Sequence, residues 1–299
     1  MKEYSPKLME LAPRDVVARS IQSEIDKGNG IDGKDYVHLD LTHLDRALIE
    51  ERLPQIHDLA YNFAGVDCFT EPIPIQPTAH YSMGGIPVDN DCHALKDARK
   101  NRVQGLYAGG ECGCVSVHGA NRLGTNSLLE AVLFGRRAGR SASRDLPEIE
   151  WSDLPVDPRE LARAEVEDYF SRTGDQKVAD IRLRLQESMT DRCGIFRNEK
   201  DLTEQLAYVR ELQEQFQNIK LDYTGDVFNL DLLEAVELGH LLEFAEVIVA
   251  GAIERQESRG AHYRKDFEKR DDENWLKHTL AWREGPGKIR FDYKSVVIT

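Results

Sequence analysis

No apolar run in this sequence approaches the ~20 residues that cross a bilayer as a helix. The best stretch, Val247 to Ile253, is short and is flanked by Glu246 and Glu254. The opening residues, Met1-Lys-Glu-Tyr-Ser-Pro, lack the apolar core of a signal peptide. A cytoplasmic protein is expected, or one held at a membrane only through partners. Basic charge is also scarce: 39 Lys and Arg against 53 Asp and Glu give a formal net charge of -14. That balance excludes nucleic acid, whose recognition needs a basic footprint. It does not exclude a small dianionic substrate, because a local pair of cations can override the global sign. Cysteine is sparse too. The five, Cys68, Cys92, Cys112, Cys114 and Cys193, are odd in number and scattered in spacing, so a disulfide framework is not expected. Cys112 and Cys114 form a Cys-x-Cys pair without a second Cys or His pair at zinc spacing, and they read as packed free thiols, not metal ligands. Gly-x-Gly-x-x-Gly after an N-terminal strand is missing as well, since neither Gly28-Asn-Gly30 nor Gly109-Gly110 fits it. There is no internal repeat and no low-complexity tract.

What remains is a 299-residue chain, 40% hydrophobic and 31% charged, able to bury one large core or two to three smaller ones. Pro13 and a face of Val16, Val17, Ser20, Ile21 and Ile25 predict a first helix that Gly28-Asn-Gly30 stops. Asp35 to Leu41 reads as a short strand, and Leu44 to about Phe63 as one helix. Three prolines hold Glu71 to Pro77 extended. Gly84-Gly85 then lets backbone approach a ligand closely, and Leu106 to Ala108 reads as a short buried strand. Ser127 to Gly139 is helical by the pairs Leu128/Val132 and Leu129/Leu133, with Ala131, Gly135 and Ala138 as a small-residue stripe suited to packing on a sheet. Pro147, Pro155 and Pro158 punctuate a linker. Beyond it, Pro158 to about Phe170, Lys177 to Met189, Leu202 to Ile219 and Leu230 to Glu257 read as amphipathic helices of an antiparallel bundle. Thr279 to Arg283 and Lys288 to Ile298 read as a hairpin around Glu284-Gly-Pro-Gly287.

The most informative segment runs from His118 to Leu129, HGANRLGTNSLL. It sets a histidine, an arginine and a glycine-bearing turn immediately before a helix. Arg122 offers a planar fork of donors that fits a carboxylate bidentately. Asn126 and Ser127 are good helix caps, leaving the following backbone N–H groups to face an anion. Those parts suit a dicarboxylate held beside a helix N-terminus.

This run resembles the flavoprotein subunit of succinate dehydrogenase and fumarate reductase. The resemblance extends to Glu71 to Pro87 (EPIPIQPTAHYSMGGIP), Gly105 to Glu111 (GLYAGGE), Met9 to Val17, Glu257 to His262 and Arg270 to Trp275, in the family's order and over nearly the whole chain. Because the family's dinucleotide fingerprint and flavin-carrying histidine precede the region matching Arg14, only the C-terminal half is resembled. The implied fold is α+β and multidomain: part of a capping domain (1–78), a returning segment of an FAD-binding α/β domain (79–148), a helical bundle (149–257) and a small β-containing tail (258–299).

By resemblance, Arg14 carries the proton, although a guanidinium is effectively always protonated and donates best in the fumarate-reducing direction. His80 and Arg122 bind substrate carboxylates, and the three residues surround a four-carbon diacid beside the flavin. Glu111, Ser127 and Leu128 contact FAD, and His118 tunes the flavin or orders the turn. The implied activity interconverts succinate and fumarate, passing electrons through FAD to an iron–sulfur subunit and quinone. Membrane-anchor subunits would then hold it indirectly on the cytoplasmic face, and a separate chain would carry the N-terminal FAD-binding half. Two alternatives remain open. One is an L-aspartate oxidase-like enzyme, which Arg270 to Trp275 with Lys277-His278-Thr279 fits less well. The other is a non-catalytic scaffold that docks an iron–sulfur partner.

Overall fold

The structure is a computed structural model that describes residues 1–150, 153–154, 156–225 and 227–298. Pro155, expected in the linker, lies outside the described residues. Two compact units divide the chain, Met1–His80 and Tyr81–Thr299.

In the first unit, helix α1 spans Arg14–Asp26 behind Pro13, and Lys27 closes it before Gly28 turns left-handed. Strand β1 (Val37–Leu39) pairs antiparallel with β2 (Ile73–Ile75), in register Val37↔Ile75 and Leu39↔Ile73. The expected single helix over Leu44 to Phe63 is broken into α2 (Arg46–Arg52), α3 (Pro54–Leu59) and a wide turn over Ala60–Ala64. Pro54 is the cause. It lacks an N–H and disfavours helical geometry at Leu53, which sits at φ -132° and ψ 35°. Apolar periodicity continues through the break because both pieces cover one core, with Ile49, Ala60, Cys68 and Ile73 buried together.

The second unit begins with four short strands. Strand β3 (Ile86–Pro87) pairs in parallel with β6 (Gly113–Cys114), whereas β4 (His93–Leu95) pairs antiparallel with β5 (Arg102–Tyr107). The expectation of a buried strand at Leu106 is corrected: Leu106 is 47% exposed, while Ala108 is buried. The β4–β5 ladder has just two strands among the described residues, and Leu106 lies on β5, an outer edge of it. Helix α4 (Asn126–Asp145) turns Glu130, Phe134 and Ser141 inward. Its leucine pairs lie on the outside: Leu128, Leu129, Val132 and Leu133 are 71%, 65%, 74% and 54% exposed.

Helices α5 (Pro158–Ser171), α6 (Val178–Cys193), α7 (Glu199–Phe216) and α8 (Leu230–Glu254) follow, capped by Asp157, Asn198 and Asn229 side chains at the starts of α5, α7 and α8. Helices α6, α7 and α8 pack on one another around Ile181, Leu185, Val209, Leu212, Phe216, Leu238 and Leu242. Each such side chain contributes ~1.5–3 kcal/mol of burial, so this is the strongest core in the chain. A short helix α9 (Asp272–Trp275) precedes the hairpin of β7 (Lys277–Gly285) and β8 (Lys288–Ser295). The buried Glu246 ties bundle to hairpin. It accepts from Arg210, Gln213, Arg283 and the Gly287 N–H. Burial works to raise its carboxyl pKa, but Gln213, Arg210 and Arg283 together hold it below the usual range. No helix among the described residues is long and apolar enough to cross a membrane.

Candidate functional site

The site is built on the turn between β6 and α4, inside the second unit. Its floor is the Gly109-Gly110 pair at the end of β5. A Cβ on Gly109 would lie 2.8 Å from the Phe134 backbone, and one on Gly110 would lie 3.4 Å from Ala131 Cα. The small-residue stripe of α4 therefore packs on glycine backbone. The expected approach of a ligand at Gly85 is corrected, because that space is filled by the Cys112 carbonyl, 2.4 Å from where a Cβ would stand. Cys112 is exposed and Cys114 half-buried, so the expected packed thiols are found at Cys68, Cys92 and Cys193 instead. Cys112 sits on the turn after Gly110, its thiol directed back at the Gly109 carbonyl at 3.7 Å.

Glu130, 4% exposed, is the hub of the side chains. It accepts from the Tyr81 hydroxyl at 2.5 Å and faces His118 Nε2 at 2.6 Å. The Tyr81 and His118 rings meet edge to face, with centroids 5.4 Å apart. Burial, and then Glu130, push the Tyr81 phenol well above its ordinary pKa, so it stays a donor. The Arg122 guanidinium lies 5.0 Å above the Tyr81 ring, its backbone N–H points to Met83 Sδ, and Nη1 donates to the Leu123 carbonyl. Two buried polar atoms on this turn, His118 Nδ1 and Arg122 Nε, have no hydrogen-bond partner among the described residues. Buried polar atoms are seldom left so, and here both belong to one exposed turn.

The turn is braced from behind by the segment 257–262. Gly260, at φ +58°, brings its backbone against Ala120: a Cβ there would fall 2.3 Å from the Ala120 carbonyl oxygen. Next to it, the Ala261 N–H donates to that same oxygen at 2.9 Å. The brace is itself pinned by buried Glu257, paired with Arg255 at 2.6 Å and Arg259 at 2.8 Å. His262 bridges the Arg255 carbonyl and Arg197. Burial, then the Arg197 charge, lower its pKa to about 4.

The sequence-predicted residues fall as follows. Arg14 is the first residue of α1, and it is exposed and without an ion pair among the described residues. His80 is the last residue of the first unit and is exposed. In the second unit, Glu111 is exposed and accepts from the Ser82 N–H at 2.9 Å. Ser127 and Leu128 occupy the first turn of α4. The cap is Thr125, at φ 65°, in place of the expected Asn126 and Ser127; its hydroxyl donates to the Gly124 carbonyl and does not cap an N–H of the helix. Sequence reasoning missed Glu130 and Gly260. A carboxylate four residues before Phe134 on the inward face was the available signal for Glu130.

Comparison with known proteins gives this geometry a context. The model of the FAD binding domain matches residues 2–128, and that of the fumarate reductase flavoprotein C-terminus matches residues 182–299. The succinate dehydrogenase flavoprotein subunit of Rickettsia conorii is 41% identical over 311 residues, covering 100% of this chain and 51% of the relative. The chain matches part of a succinate dehydrogenase and fumarate reductase flavoprotein. The fumarate reductase flavoprotein subunit of Escherichia coli is 43% identical over 303 residues, with 99% of this chain and 49% of the relative covered. The FrdA chain of a variant E. coli quinol fumarate reductase superposes with a TM-score of 0.88 at 42% identity, over 97% of this chain and 50% of that one. An adenylylsulfate reductase from Archaeoglobus fulgidus, at 19% identity and a TM-score of 0.68, shares the fold. The chain spans about half the length of the curated relatives it matches.

Proposed function

We propose that this chain is the dicarboxylate-handling half of an FAD-dependent flavoprotein that interconverts succinate and fumarate, delivering electrons to an iron–sulfur subunit and on to quinone. The observation that carries the reading is the pair of orphaned buried nitrogens, His118 Nδ1 and Arg122 Nε, on a turn braced at fixed geometry. That turn fits a flavoprotein site: it offers an unspent guanidinium N–H, an unpartnered imidazole nitrogen, a helix N-terminus and glycine backbone where close approach is needed. Glu111, Ser127 and Leu128 would hold the cofactor. FAD, when bound, would supply the two-electron redox chemistry. Arg122 would bind one substrate carboxylate through its guanidinium fork, with Tyr81 beneath it fixing the plane. His80 would donate to a substrate carboxylate. In the reducing direction Arg14 would pass a proton to the carbon beside the reduced one and be reprotonated through a relay.

Residues 1–78 would serve as part of the capping domain, 79–148 as the returning segment of the FAD-binding domain, 149–257 as the bundle and 258–299 as the tail. The exposed leucine face of α4 supports completion by a polypeptide carrying the dinucleotide-binding half. Membrane-anchor subunits would then hold the assembly indirectly at the cytoplasmic face.

Co-expression with the N-terminal half of the E. coli fumarate reductase flavoprotein tests this. Flavin absorbance should co-purify with the chain, with activity on succinate and not on aspartate. Arg122→Gln should keep the flavin and lower kcat/KM by about 100-fold, the worth of a charge-assisted bidentate contact. Arg122→Gln activity within twofold of wild type would sink the assignment.

A further inference from the structure

The C-terminal hairpin holds a polar cluster that the proposed chemistry does not use. Lys294 on β8 stands opposite His278 on β7 in antiparallel register, so both side chains project from one sheet face. Lys294 is only 9% exposed, yet among the described residues it has no carboxylate and no hydrogen-bond partner. The groups acting on it electrostatically are the Cys114 thiol and a second cation, Lys100. His278 Nε2 lies 3.0 Å from Ser116 Oγ, on a residue held at φ 75° two positions beyond Cys114. Burial lowers the pKa of both Lys294 and His278, and each is lowered further by neighbouring cations, Lys100 for the first and Lys294 and Arg255 for the second. A lysine whose side chain is this largely buried is almost always paired; here the stem is covered while the ammonium keeps its access to solvent and to a small solute. The Lys294 ammonium, the hydrogen-bonded Ser116–His278 pair and the weakly donating Cys114 thiol thus gather beside a second cation, Lys100, with no acid among the described residues to balance the charge.

We propose that Lys294, His278 and Ser116 form a binding site for a small oxyanion of the phosphate class, seated between the hairpin and the segment 114–116. The exposed Lys100 stands at its rim and draws the anion in. Lys294 contributes the charge, while Ser116 and His278 give direction. Bound there, the anion replaces the missing carboxylate and fastens the hairpin to the strand that leads into the arginine turn.

The test is thermal unfolding of the 299-residue chain with inorganic phosphate, against sodium chloride of equal ionic strength. Wild type should rise by about 5–10 °C when phosphate reaches a hundredfold excess over its Kd. Lys294→Met should unfold at a higher temperature than wild type without phosphate, and should lose the phosphate response. Lys294→Arg should keep the response, and so should Arg122→Gln, since the anion is not at the arginine turn. Isothermal titration of wild type with phosphate gives a second readout should Lys294→Met fail to fold. No heat of binding at millimolar phosphate, a response equal to that of chloride, or a response that survives in Lys294→Met and vanishes in Arg122→Gln would each overturn the proposal.

Discussion

Gly260 offers the sharpest quantitative test of how the arginine turn is held. In Gly260→Ala the new methyl would start 2.3 Å from the Ala120 carbonyl oxygen, well inside contact distance, and the backbone would have to keep φ +58°. A left-handed alanine costs ~1–2 kcal/mol relative to glycine. Pushing Ala120 aside weakens its 2.9 Å hydrogen bond from Ala261, worth ~1 kcal/mol. Strain from forcing a methyl into a filled space adds ~1–3 kcal/mol. The sum is about 3–6 kcal/mol. In a unit of this size each kcal/mol moves Tm by ~2–4 °C, so the loss should exceed about 6 °C. The matching control is Gly139→Ala in the interior of α4, where a Cβ meets nothing within 4 Å. That change should raise stability by ~0.5–1 kcal/mol. Urea denaturation and calorimetry of the two variants give opposite signs if the reasoning holds. A Gly260→Ala chain within 0.5 kcal/mol of wild type would show that the brace does not set the turn.

Three further outcomes are expected. His262, buried neutral with its pKa lowered to about 4, stabilises the fold above its ordinary pKa of 6.5, and that contribution of about 3 kcal/mol is lost as pH falls from 6.5 to 4; His262→Gln should flatten this acid limb in denaturation measured across that range. Glu130→Gln leaves Tyr81 and His118 without their shared carboxylate and should cost ~1–3 kcal/mol, with Tyr81 becoming easier to ionise in an ultraviolet titration. Leu129→Glu, at a residue 65% exposed, should leave the stability of the chain alone within ~0.5 kcal/mol, yet abolish co-purification with the complementing half; unchanged co-purification would remove α4 from that interface.

The bundle was legible because Ile181 with Leu185, and Leu202 with Val209 and Phe216, repeat at helical spacing and are buried within the same chain. The hairpin was legible from Glu284-Gly-Pro-Gly287 alone. Periodicity misled at Leu53, where one proline outweighed a continuous apolar face. It was right about the helicity of α4 and silent about which side of it is covered, since spacing reports a face and not its partner. Arg122 stood out through its local context of glycines and helix start. Glu130 and Gly260 act through residues far off in sequence, Tyr81 in one case and Ala120 in the other, and no window of sequence contains both members of either pair. The same holds for Lys294, whose isolation appears only once the strands are in register.

Among the described residues every ladder joins just two strands. Sheets this narrow leave outer strand edges, rims whose backbone amides and carbonyls have no ladder partner among the described residues. Such rims recruit whatever extended peptide comes first, including another copy of themselves. Synthesised in excess of whatever covers those rims, the polypeptide is expected to self-associate, so its solubility should rise with the supply of its complement.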